Sequence, residues 1–149
     1  MFSPTKLLDA MQSEWPLLSS LAIVGTTEAQ PQWALVSAQR AVTRLRPGDL
    51  SVCRAQLPGL VVMLGILHQR WVVTCVLAVL LALAVVSAAH TAPLDGLHLG
   101  ILFSVLSAIL LPPLVICNGI ARDYVAARAL AAVLHSSVQQ TQACGMSDG

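Results

Sequence analysis

Residues able to do chemistry are sparse in this chain, and the tightest group is His90, Asp95 and His98. Imidazole and carboxylate side chains bind zinc. The same residue types also suit a short polar connector between apolar segments, where Pro93 and Gly96 add turn chemistry. The connector is the preferred reading, so no metal-ligand set is assigned. The four cysteines, Cys53, Cys75, Cys117 and Cys144, are widely spaced, and none stands in a C-x-x-C pair. That spacing predicts neither a disulfide framework nor a zinc or redox motif. Cys53 and Cys117 lie beside apolar stretches, where reversible palmitoylation in a eukaryotic cell is a candidate modification. No Ser/His/Asp or Cys/His arrangement occurs at a recognisable spacing, and neither phosphate-cradling glycine motif is present. The expectation is a protein with no catalytic residues, no cofactor and no metal, which is to say not an enzyme.

The elements that would position any such residues are dictated by charge. The chain has 149 residues, a net charge of +1, 56% hydrophobic residues and 10% charged residues, against about 25% charged in an ordinary soluble domain. Residues 71–121 contain no Lys or Arg, and Asp95 is their only charge. A soluble monomer with a normally solvated surface is excluded. So is a disordered chain, which requires low hydrophobicity and high charge. A nucleic-acid partner is not expected either, because a concentrated basic face is missing.

Two segments read as membrane spans. Residues 71–89 contain six Val and four Leu with no charge and no polar stripe, and Trp71 stands at the start, where an interfacial aromatic is expected. Residues 97–117 are uncharged from Leu99 onward, with Pro112-Pro113 interrupting the last turns. Transmembrane helices tolerate such a kink. The connector from His90 to Leu97 is short enough to force an antiparallel helical hairpin. Basic residues set its orientation: Arg40, Arg44, Arg46, Arg54 and Arg70 precede the first span, Arg122 and Arg128 follow the second, and the connector has none. The positive-inside rule then places both termini in the cytoplasm, with these seven arginines on the membrane surface. Neither span carries Asp, Glu, Lys or Arg, which argues against a pump, an ion-coupled carrier acting alone or an intramembrane hydrolase. What the spans do carry is small residues four apart: Thr74, Ala78 and Ala82 in the first, and Gly100, Ser104 and Ala108 in the second. Such stripes let helix backbones approach closely. They serve either the hairpin's own packing or a partner protein.

The flanks read as helical. Ser3-Pro4 resembles a helix start, and Leu7, Leu8, Met11 and Trp15 recur at helical spacing up to Pro16. Residues 17–25 are apolar but too short to span, and a signal-peptide cleavage after Ala29 is an alternative reading. Residues 31–45 form an amphipathic pattern with Arg40 and Arg44 on one face. Residues 57–67 are apolar and only eleven long, which favours an interfacial or re-entrant helix. Asn118-Gly119 predicts a break before an alanine-rich amphipathic helix over 120–138 and a loose tail.

The fold class is therefore an all-α membrane protein, a two-span antiparallel transmembrane hairpin flanked by amphipathic or interfacial helices. Its expected regions are a cytoplasmic helical part (1–56), an interfacial apolar segment (57–70), the hairpin (71–117) and a cytoplasmic helix with tail (118–149). The expected function is that of a non-catalytic accessory subunit or assembly factor of a larger membrane complex. The alternatives are a self-assembling, holin-like pore former or membrane-shaping hairpin, and an oligomeric transporter component. Membrane lipid and either other membrane subunits or a second copy are the expected partners.

Overall fold

The computed structural model describes residues 2–15, 31–91, 93 and 95–147. Among the described residues there are four α-helices and no strand: α1 (Pro4–Ser13), α2 (Gln32–Thr43), α3 (Pro47–Ala89) and α4 (Gly96–Ser147). The apolar stretch 17–25 and the candidate cleavage position at Ala29 lie outside the described residues.

Local chemistry accounts for the helix starts. Ser3 has an extended backbone and Pro4 opens α1, a position where the missing N–H costs nothing. The Ser3 hydroxyl does not cap the helix; it pairs with Thr5 Oγ1 at 2.7 Å. At the next junction α2 ends at Thr43. Proline at 47 disfavours helical backbone at Arg46 and itself begins α3 with Asp49 in the first turn, where the helix dipole favours a carboxylate.

The two long helices pass through every internal break signal. α3 includes Pro58, and α4 includes Pro112, Pro113 and the Asn118-Gly119 step. An interior proline costs about 3 kcal/mol because it deletes a hydrogen bond and crowds the preceding turn. At Pro58 and at the Asn118-Gly119 step, packing nearby favours continuation of the helix. Leu57 and Leu64 are buried on either side of Pro58. Beyond Gly119, the alanine-rich run buries Ala121, Ala126, Ala127, Ala129, Leu130 and Leu134. A sequence signal for a helix end acts over one turn, and burial over the next four turns outweighs it. Residues 57–67 are correspondingly part of one long helix rather than a separate helical piece.

By contacts the chain divides into two compact units, one made of Met1–Gly65 and Ala121–Gly149, the other of Ile66–Ile120. The first has a true core, formed by Leu8, Met11 and Trp15 of the N-terminal arm, Ala34 and Ala38 of α2, Cys53, Leu57 and Leu64 of α3, and the buried face of α4. Six of its fourteen buried residues are alanine, so the helices meet at close range with little side chain between them. Among the described glycines the closest approach is at Gly65, where an added Cβ would lie 3.2 Å from the Tyr124 ring.

The second unit is built differently. Its two segments run antiparallel, since Cys75, early in the first, donates to the carbonyl of Pro113, late in the second, at 3.4 Å. Its aliphatic side chains point outward: Leu77 is 60% exposed, Phe103 74% and Val115 67%. α3 and α4 are each long and apolar enough to cross a membrane, and the most apolar 18-residue windows are 6% and 0% buried. A core helix of a soluble protein shows the reverse.

The close approach at Gly65 generates a prediction. Gly65→Val should destabilise the first unit by about 1–3 kcal/mol through overpacking against Tyr124, whereas Gly59→Ala, whose Cβ meets nothing within 4 Å, should be neutral or stabilising. Denaturation followed by Trp15 and Trp33 fluorescence distinguishes the two; equal midpoints would contradict this packing.

Candidate functional site

The two small-residue stripes occupy different environments. On α3, Ala82 is buried and Ala78 is half-buried. Ala78 and Thr74 line an apolar groove with Ile109, Pro112 and Pro113 of α4, so this stripe faces the other segment. Thr74, at the outer end of the same stripe, is exposed, and its hydroxyl turns back to the Arg70 carbonyl at 3.0 Å. That bond satisfies the hydroxyl within its own helix.

On α4, Gly100, Ser104 and Ala108 are all exposed. A Cβ at Gly100 would meet nothing within 4 Å, and the same holds one turn earlier at Gly96. Ser104 Oγ donates to the Gly100 carbonyl at 2.9 Å, which keeps the hydroxyl folded against the helix and the face low. Gly96, Gly100 and Ser104, flanked by Leu97, Ile101 and Val105, line an open apolar depression. The structure thus brings Ala78 and Ala82 into the pair and leaves Gly100, Ser104 and Ala108 outside it. Gly96 extends the open stripe by one turn. Its place four residues before Gly100 was the available sequence signal, masked by its proximity to Pro93 and Asp95 in a turn-like connector.

The arginines expected on the membrane surface divide into two groups. Four have partners within the first unit. Arg40 and Arg44 both reach Glu14, at 3.7 and 3.5 Å. Arg122 lies over the Trp15 ring, 5.8 Å from its centroid, and donates to the Gln12 carbonyl at 3.3 Å. Arg128 lies over the Tyr124 ring at 5.5 Å. Arg46, Arg54 and Arg70 are exposed. Beside Arg122, Asp123 accepts a hydrogen bond from Gln12 Nε2, and Trp15 meets Trp33 edge-on with centroids 4.6 Å apart. These contacts tie the N-terminal arm to α2 and, across more than a hundred residues of sequence, to α4, and no local pattern announces them. Trp15 Nε1 and Arg122 Nε are buried without an acceptor.

The remaining chemistry-bearing residues are distributed as follows. His98 Nδ1 lies 4.0 Å from Asp95 with both side chains exposed, and His90 is exposed as well. Among the described residues no three metal-capable side chains converge. Cys53 is fully buried in the first unit's core, which removes it from acyl transfer in the folded chain. Burial pushes its thiol up from the ordinary value of 9.0. Cys117 is half-buried and stands one helical turn beyond Pro113, whose carbonyl accepts from Cys75. Cys144 is exposed.

Comparison with protein-family models, curated proteins and solved structures gives no match for this chain.

The raised Cys53 pKa fixes a pH dependence. The folded state holds this proton more tightly than the unfolded state, so the associated stability is complete below about pH 9 and is lost as pH rises above it. Cys144 should therefore react with a maleimide in the native chain while Cys53 reacts only after denaturation, and Cys53→Ala should flatten the alkaline limb of the stability profile. Rapid native labelling of Cys53, located by peptide mapping, would contradict its burial.

Proposed function

We propose that the protein is a small integral membrane protein that crosses the bilayer twice, with both termini in the cytoplasm, and serves as a non-catalytic accessory subunit or assembly factor of a larger membrane complex. The apolar parts of α3 and α4 form the spanning hairpin, and the first unit lies on the cytoplasmic side with Arg46 and Arg54 free to meet anionic lipid. The observation that carries this reading is the open stripe of Gly96, Gly100, Ser104 and Ala108 on α4. The hairpin closes through Ala78 and Ala82 and has no use for it. In lipid, association between helices depends on close backbone approach and van der Waals packing rather than on hydrophobic burial, and a groove without side chains supplies that approach. Nothing in the spans supplies a charge for transport.

Gly100→Leu puts a side chain into the groove with room at its first carbon, because a Cβ there meets nothing within 4 Å. Affinity purification after mild solubilisation should recover the wild-type chain with a stoichiometric membrane partner. Gly100→Leu should reduce that recovery at least tenfold with helix content unchanged. If the wild-type chain elutes only as a free monomer, the subunit reading fails; if it elutes only as a homo-oligomer, the self-assembling alternative replaces it.

A further inference from the structure

Within the second unit, two cysteines far apart in sequence face one another. Cys75 Sγ donates to the Pro113 carbonyl at 3.4 Å, and Cys117 is one helical turn beyond Pro113 on the same face. The two side chains are close enough for Cys75 to act on the Cys117 thiol. Both are free thiols and both are half-buried, so neither sulfur is sealed from small reagents. A disulfide requires facing side chains and a sulfur–sulfur distance of about 2.05 Å. Cysteines brought to the same turn from two facing segments meet the first requirement, and the second asks for a closing movement of the two sulfurs.

We infer that Cys75 and Cys117 are an oxidisable pair whose intramolecular disulfide clasps the two antiparallel segments together, with a peroxide as the oxidant class. One thiol, as thiolate, attacks a peroxide oxygen; the O–O bond breaks, hydroxide leaves and the sulfur becomes a sulfenic acid. The second thiol attacks that sulfur, the S–O bond breaks and water leaves. Two thiols are oxidised by two electrons, one peroxide is reduced, and two waters are formed in total. The new bond replaces the Cys75 S–H, so the Pro113 carbonyl gives up its side-chain donor and the two segments are held by a covalent bond at that turn. The pair is independent of the open face on α4 and of whatever binds there.

The test uses the full chain in phospholipid vesicles, treated with hydrogen peroxide, denatured, and counted for free thiols with a maleimide-linked polymer. Four modifiable thiols should fall to two and return to four with dithiothreitol, with the chain still monomeric on a non-reducing gel. Peptide mapping should join the fragments containing Cys75 and Cys117. The Cys53→Ala/Cys144→Ala double variant should go from two thiols to none, and Cys75→Ala should form no intramolecular bond. Diamide, which is membrane-permeant, serves as a second oxidant. If all four wild-type thiols stay modifiable under both reagents, or if the mapped bonds join other cysteines or separate chains, the clasp is overturned.

Discussion

Backbone polar groups in a segment whose side chains cannot hydrogen-bond them must be satisfied by the backbone itself, and the rest of this structure follows from that constraint. Residues 71–121 offer a single charged side chain. In the bilayer proposed for this stretch, an irregular chain of that composition would leave dozens of N–H and C=O groups unpaired, each at a cost of several kcal/mol. A helix pairs them all within the segment. The hydroxyls obey the same economy: Thr74, Ser87 and Ser104 each donate to a carbonyl four residues back. A helix interrupted by proline loses about 3 kcal/mol at each site, yet an ended helix would expose a whole turn of orphan carbonyls. Continuation through Pro112 and Pro113 is the smaller loss.

Charge is scarce, so the first unit spends its few charges on tertiary ties. Eight basic and seven acidic residues serve the entire chain, and Glu14 alone engages two of the arginines. Exposed ion pairs contribute only about 0.2–1 kcal/mol each, so these contacts orient α1 against α2 more than they stabilise the unit. The stabilising work falls to the alanine-lined core, where close helix approach gives many small dispersion contacts. Arg122 illustrates the compromise. Its charge rests on the Trp15 ring and one carbonyl, while its Nε and the Trp15 N–H go without acceptors, at about 1–3 kcal/mol for each unmet donor.

The legible parts of the fold are those fixed by composition over many residues. The helical class and the two long apolar helices follow from the charge-free stretch and its uninterrupted Val and Leu content. What the residues do not disclose depends on one turn set against many, or on partners distant in sequence. Asn118-Gly119 has the local chemistry of a helix end, and only the burial of Ala121 to Leu134 against α1 and α3 overrides it. Arg40, Arg44, Arg122 and Arg128 look alike as basic residues near apolar segments. Their pairing with Glu14, Trp15 and Tyr124 is a tertiary fact without a periodic signature. Cys75 and Cys117 are invisible as a pair in a scan for short spacings, because only antiparallel folding brings them together. Gly96 was within reach, since the four-residue interval continues back from Gly100, but its turn-forming neighbours gave the glycine a second and sufficient explanation.

The asymmetry between the stripes bears on why the open one matters. Pro112 has no N–H to give the carbonyl of Ala108, and Pro113 cannot supply it from the next position either. Ala108 is the last residue of the stripe that begins at Gly96, so the proline pair leaves an under-donated carbonyl at the end of a groove with almost no side chains. Inside a bilayer no water compensates such a group. A neighbouring helix seated on Gly96, Gly100 and Ser104 would pass within reach of that carbonyl, and a Ser or Thr hydroxyl on it would supply the missing donor. Close approach and hydrogen-bond satisfaction would then be met by the same contact. Such an interaction in lipid is worth about 0.6–2 kcal/mol, so under the proposed docking the carbonyl would bias the choice among helices that fit the groove rather than provide most of the affinity.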